Sequence, residues 1–153
     1  MSSFSKGASE QVPMQAAGVA IGNAICYEII YPQLVAQRAA DSGVIVTVSN
    51  DTWFGASIGP HQHLQMARLR ALENGRYVVR ATSNGITAII TPRGELVDRA
   101  PQFETTYLTG EFYAMEGAHP VYPHGQPAHL ATRRAVPAAG VCASALMSTA
   151  PRP

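Results

Sequence analysis

The sequence predicts an α/β fold in which a mixed sheet carries helices on one face. Two observations lead there. From residue 18 to residue 76 strand-like and helix-like stretches alternate, the order that builds a sheet covered by helices. From residue 77 onward short apolar runs are separated by Asn-Gly and Pro-Arg-Gly, which reads as a more antiparallel second half.

Each element has a local reason. In "GVAIGNAIC" (18–26), Ala20, Gly22, Ala24 and Cys26 share one face, while Val19, Ile21, Asn23 and Ile25 share the other. Both faces are mostly apolar or small, with Asn23 the one polar member, as in a buried strand. "EIIYPQLVAQRAADSG" (28–43) predicts a helix with Ile30 and Leu34 one turn apart, flanked by Tyr31, Val35 and Ala39. Gly43 is its stop, and Pro32 is tolerated only in the first turn, where its missing N–H costs nothing. "VIVTVS" (44–49) is β-branched and apolar, a second strand, and "NDTWFGASIGP" (50–60) reads as a loop. "HQHLQMARLRALENGR" (61–76) predicts a helix with Leu64, Ala67, Ala71 and Leu72 inward and Gly75 ending it. "YVVRATS" and "ITAIIT" joined through Asn84-Gly85 form a hairpin whose turn requires positive φ. "ELVDRA" and "TYLTGEFY" (106–113) are the last predicted strands.

Residues 1–113 therefore read as one domain and 114–153 as a Pro- and Ala-rich tail. "AVPAAGVCASALMSTA" (135–150) is interrupted by Pro137 and falls short of the roughly 20 apolar residues a membrane span needs. It is either a loose tail or a degraded C-terminal membrane segment. No signal-peptide pattern opens the chain. A net charge of +1 gives no electrostatic basis for binding nucleic acid. Two cysteines, Cys26 and Cys142, form neither a metal motif nor a disulfide framework.

The candidate chemistry starts at Cys26. A thiol where a strand runs into a helix sits near unpaired backbone N–H groups, which favours a nucleophile; the alternative is an inert buried cysteine. Glu28 either handles a proton or substrate amine, or is a first-turn acid complementing a helix dipole. Trp53 and Phe54 lie between a strand end and a helix start, where α/β folds place a ligand crevice; they line a pocket or touch lipid, or they cap the core. His61 and His63, two apart and without a third ligand nearby, do not make a metal site. Arg68, Arg76 and Arg80 with Glu73 read as structural ion pairs.

These residues together resemble the nitrilase, or carbon–nitrogen hydrolase, superfamily. The matching pieces are "ICYE" at a strand end, "RALENGRYVVRATSNG" after a helix and "ITPRGE" after a turn. Within that superfamily, "SNDTWFGASIGPHQHLQMARLRALENGR", "RATSNGITAIITPRG" and "PQF" resemble the apolipoprotein N-acyltransferase branch. Soluble amidases share the cysteine strand and the Arg-Ala-Leu-Glu-Asn stretch, whereas the Trp-Phe-Gly and Gly-Pro-His-Gln-His run points to the acyltransferases. The likeness covers roughly residues 1 to 112.

The resemblance implies part of a nitrilase-like α-β-β-α sandwich, about its C-terminal half. It implies a phospholipid acyl donor, an apolipoprotein acceptor bearing a diacylglyceryl-cysteine amine, and no cofactor or metal. Cys26 would form a thioester, Tyr27 would supply a backbone N–H beside it, and Glu28 matches the motif's acid. Trp53 and Phe54 would belong to a loop on the acyl or lipid-facing side. The family's location is the bacterial inner membrane with a periplasmic catalytic domain. Its triad joins the cysteine to an upstream glutamate and lysine; Glu10 and Lys6 lie in a polar N-terminal run and do not match them. The expectation is a fragment, inactive alone. A soluble amidase and a non-catalytic remnant are the alternatives.

Overall fold

The computed structural model describes residues 7, 8 and 10–117, together with the backbone of 136–137. Its centre is a six-stranded sheet in the order β1-β2-β3-β4-β5-β6. The strands are β1 (Met14–Ala16), β2 (Val19–Ile25), β3 (Val44–Asn50), β4 (Tyr77–Ser83), β5 (Ala88–Ile90) and β6 (Leu96–Arg99). β2, β3 and β4 run parallel, and the other neighbours pair antiparallel, so the sheet is mixed as expected. β1 is an addition: Ala17 and Gly18, both at positive φ, turn it back onto β2.

The two parallel crossovers contain α1 (Pro32–Ala40) and α2 (Gly59–Asn74). Both pack on one face. Val35 and Ala39 of α1 join Leu64, Ala67 and Ala71 of α2 over Ala24, Ile45, Val78, Ala88 and Ile90 of the strands. The period-2 alternation of a strand explains which residues are chosen: even positions of β2 and β4 and odd positions of β3 face the helices. Gly22 belongs to that face, where a Cβ would stand 2.5 Å from the Arg38 carbonyl oxygen, so a larger residue would force α1 off the sheet.

Several local expectations change. The predicted helix from Glu28 divides at Tyr31 into a 3₁₀ turn (Cys26–Ile30) and α1, because Pro32 opens the first turn of the α-helix proper. Ile29 is buried in place of Tyr31, which is 52% exposed. Leu72 of α2 also lies half out of the core, at 47%. Gly75 ends α2 in the left-handed conformation, as its position predicts. Across the β4–β5 connection positive φ falls on Asn84; Gly85 is needed for room instead, since an added Cβ there would meet the Asp51 carboxylate.

The segment 106–113 does not form the predicted strand. Only Tyr113 and Ala114 do (β7), pairing with Val136–Pro137 (β8). Upstream of them the chain crosses the second face of the sheet. Leu108 packs with Ile89 and Ala100, and Phe112 with Val19, Val44 and Val79. A segment lying across a face has apolar contacts but no strand to share a ladder with, so its periodicity mimics a strand. Lys6 and the stretch 135–150, except the 136–137 backbone, lie outside the described residues. Among the described residues no helix is long and apolar enough to cross a membrane.

Candidate active site

The carboxyl ends of the three parallel strands converge on Cys26. Ile25 pairs with Val48, and one further step along that register sets Cys26 beside Ser49. The chain then leaves the sheet sharply. Cys26 has φ 53, a left-handed conformation that costs a non-glycine residue about 1–2 kcal/mol. Cys26 is partly exposed and belongs to none of the buried apolar clusters. Ser49 Oγ lies 3.5 Å from Cys26 Sγ and 2.6 Å from Asp51 Oδ1, so one hydroxyl bridges the thiol and a carboxylate.

Asp51 is the centre of this arrangement. Its carboxylate is fully buried, with Oδ2 receiving Arg80 Nη2 at 2.6 Å and Oδ1 facing His63 Nδ1 at 3.0 Å. Burial alone would raise its pKa; the hydrogen bonds with His63 and Ser49 and the Arg80 charge outweigh that and hold it below 3.8. Arg80 comes from the middle of β4, inward by the same alternation, and also donates Nε to the Ile86 carbonyl at 3.2 Å. Burial lowers its pKa, against which Asp51 and the nearby Cys26 favour the charged form. His63, on the inward side of α2, reaches past Asp51 to place Nε2 3.3 Å from the backbone carbonyl oxygen of Cys26. A carbonyl only accepts, so Nε2 carries the hydrogen of that bond.

Glu28 occupies the 3₁₀ turn, not the first turn of α1. One oxygen accepts the Ile25 N–H at 2.8 Å and Arg38 Nη1 at 2.6 Å; the other accepts Arg38 Nη2 at 3.3 Å. Burial works to raise its pKa, but the Arg38 hydrogen bond, the Ile25 N–H and the Arg38 charge leave it lowered. Arg38 also holds the Asn23 carbonyl at 2.6 Å, tying α1 to the strand that ends at the cysteine. Tyr27 stacks edge-on against Tyr31, and both are largely exposed.

The aromatic pair separates. Trp53 is 85% exposed and caps nothing, whereas Phe54 turns its ring edge-on to His63 and packs over Gly59. Both sit in a 3₁₀ turn (Thr52–Phe54) directly after Asp51. Ile25, Val48, Trp53 and Ile58 leave exposed apolar surface at this end of the sheet.

The arginines pair differently from the sequence expectation. Glu73 is held by Arg70 at 2.7 Å, not by Arg68, Arg76 or Arg80. Arg68 donates to the Gly94 carbonyl, and Arg76 to the carbonyls of Ser42 and Gly117. Of Arg68, Arg76 and Arg80, Arg80 makes a carboxylate pair among the described residues, and its partner is Asp51. The two histidines also part ways: His61 is exposed, while His63 is buried in the network. Among the described residues no group of three or more His, Cys, Asp or Glu side chains is placed to hold a metal ion.

Residues 1–116 match the carbon–nitrogen hydrolase family. The chain is 52% identical over 120 residues to the apolipoprotein N-acyltransferase of Pseudomonas paraeruginosa, covering 78% of this chain and 24% of that protein. It is 46% identical over 126 residues to the Vibrio parahaemolyticus protein of the same name, covering 82% of this chain and 25% of that protein. The chain thus spans about a quarter of the length of these relatives. Among solved structures, a carbon–nitrogen hydrolase from Helicobacter pylori superposes with a TM-score of 0.58 at 14% identity, over 65% of this chain and 42% of that one. The C. elegans NitFhit protein gives 0.51 at 20% identity, over 64% and 26%. At those identities the likeness is one of fold.

Proposed function

The chain belongs to the carbon–nitrogen hydrolase family, and from that premise we propose that it is the cysteine-bearing part of an apolipoprotein N-acyltransferase. The observation that carries this reading is the left-handed, partly exposed Cys26 at the end of a parallel strand. The sequence identity to proteins named for that activity chooses the acyltransferase over a water-using amidase.

The reaction runs in two steps. Cys26 Sγ attacks the ester carbonyl of a phospholipid acyl chain; the C–S bond forms, the bond to the glycerol oxygen breaks, and the lysophospholipid leaves with a proton. The α-amine of a diacylglyceryl-cysteine then attacks the thioester; the amide forms, the C–S bond breaks, and the thiol regains its proton. A covalent intermediate divides one hard transfer into two easier ones. The Tyr27 N–H is the donor nearest the carbonyl oxygen as it becomes an oxyanion. Glu28, with both oxygens engaged, contributes by holding Ile25 and Arg38 around the cysteine and bordering the amine's path. Trp53 and Phe54 face the acyl chain, and the exposed indole rests in the interfacial layer of a membrane. In this reading residues 1–113 form the cysteine-bearing part of the catalytic domain, and the acceptor is an apolipoprotein at a membrane surface.

The test uses a chimera in which residues 10–117 replace the matching segment of the Pseudomonas relative. Given a phospholipid and a diacylglyceryl-cysteine peptide, it yields the N-acylated peptide. Release of free fatty acid with no acylated peptide would show that water is the acceptor and return the amidase reading.

A further inference from the structure

We propose that His63 is a positioning residue for the oxyanion site, holding the Cys26–Tyr27 peptide so that its N–H faces the acyl carbonyl. This deepens the proposed acyl chemistry and rests on Cys26 being the group that is acylated. Cys26 stands in a conformation that its own side chain disfavours, so something outside the turn must hold it there. The structure supplies one holder on the carbonyl side, His63 Nε2, 3.3 Å from the Cys26 oxygen. The peptide that follows is trans, and in a planar trans peptide the C=O and N–H point in opposite directions. Fixing the Cys26 oxygen against the buried ring therefore fixes the Tyr27 N–H on the opposite side of the peptide.

The ring itself is clamped. Its Nδ1 lies 3.0 Å from Asp51 Oδ1 and 3.2 Å from Arg80 Nη2, and Phe54 packs edge-on against it. Whether Nδ1 donates to the carboxylate or accepts from the guanidinium, the ring is held in one plane and Nε2 keeps its direction. His63 touches no reacting atom. It acts through the backbone of the nucleophile, whereas Ser49 approaches the same residue at its sulfur. Asp51 Oδ1 lies against both, 2.6 Å from Ser49 Oγ and 3.0 Å from His63 Nδ1, so one buried carboxylate flanks both groups that reach the cysteine.

The experiment compares two reagents on Cys26 of the 153-residue chain, read on the Cys26 peptide by mass spectrometry. With p-nitrophenyl acetate the thiol adds to a carbonyl through an oxyanion and p-nitrophenolate leaves. With iodoacetamide the thiol displaces iodide and no oxyanion forms. The ratio of the two rates isolates the oxyanion donor from the exposure and ionisation of the thiol, which both reagents share. Two variants divide the functions of the ring: His63→Asn keeps a polar group near the Nδ1 position and loses the N–H at Nε2, and His63→Gln keeps an N–H near Nε2.

The acylation-to-alkylation ratio should fall on the order of tenfold or more in His63→Asn, as for a weakened oxyanion donor, and stay within about threefold of wild type in His63→Gln. A ratio unchanged in His63→Asn, or lost equally in both variants, would overturn the proposal. So would a wild-type ratio no higher than that of a short peptide containing Cys26. If His63→Asn fails to melt cooperatively, His63→Gln decides: a preserved ratio supports the assignment, and a collapsed ratio in a folded protein refutes it. Neither reagent is a lipid or needs an amine acceptor. A failure of the phospholipid or lipoprotein reading therefore leaves this result standing, and the two can be told apart.

Discussion

Arg80 Nη2 donates to Asp51 Oδ2 at 2.6 Å, and neither side chain reaches solvent. A buried pair of this kind is weak evidence for stability as a whole, but removing one partner strands the other charge in the interior. Asp51→Ala should therefore cost on the order of 3–5 kcal/mol in chemical denaturation. A loss below about 1 kcal/mol, the range of exposed pairs, would mean that water reaches Arg80.

The same pair makes a prediction about acid. The Asp51 carboxyl is held below its ordinary 3.8 in the folded protein, so its contribution is fully present above that value and is lost as pH falls through the folded-state value. The melting temperature should drop as pH is lowered below about 4. In Asp51→Asn, with no carboxyl to titrate, the slope should be shallower, and an identical slope would place the acid sensitivity elsewhere.

Gly22 tests the packing of α1. A Cβ there would meet the Arg38 carbonyl at 2.5 Å, a backbone atom that cannot rotate away. Gly22→Ala should destabilise by about 1–3 kcal/mol, as overpacking does. Gly18, open around its own Cβ position, is the control for space alone, and Gly18→Ala should lose less than Gly22→Ala in the same melt, the loss coming from its positive φ.

Trp53 separates folding from lipid contact. Its side chain is 85% exposed, so Trp53→Ala should change stability by no more than about 0.5 kcal/mol. Sedimentation with phospholipid vesicles should weaken at the same time. Equal loss of thermal stability and vesicle binding would return the indole to the core.

The strand-helix order and the cysteine at a strand end were legible because both rest on local periodicity: β2, β3, α2 and β4 stand within a few residues of their expected places. The network behind the cysteine was not. Asp51, His63 and Arg80 come from a loop, a helix and a strand, and the parallel register sets Arg80 beside Thr47, on the face toward which Asp51 also points. Along the chain His61 and His63 stand two positions apart, and that spacing does not show that one is exposed and the other buried. A usable signal existed in "YVVRATS", where an arginine at an inward position of an apolar strand requires a buried acid. Asp51, one residue past the end of β3 and two past Ser49, is the acid that continuing the alternation selects. Segment 106–113 misled for the converse reason, since apolar periodicity reports burial and not pairing.

The most direct measurement is the mass of the Cys26 peptide from the chimera after incubation with a long-chain phospholipid and no acceptor. The expected result is a gain of one acyl group on Cys26 that hydroxylamine removes and that is absent in Cys26→Ala. A hydroxylamine-sensitive acyl adduct that survives Cys26→Ala, or no adduct in a folded chimera, would contradict it.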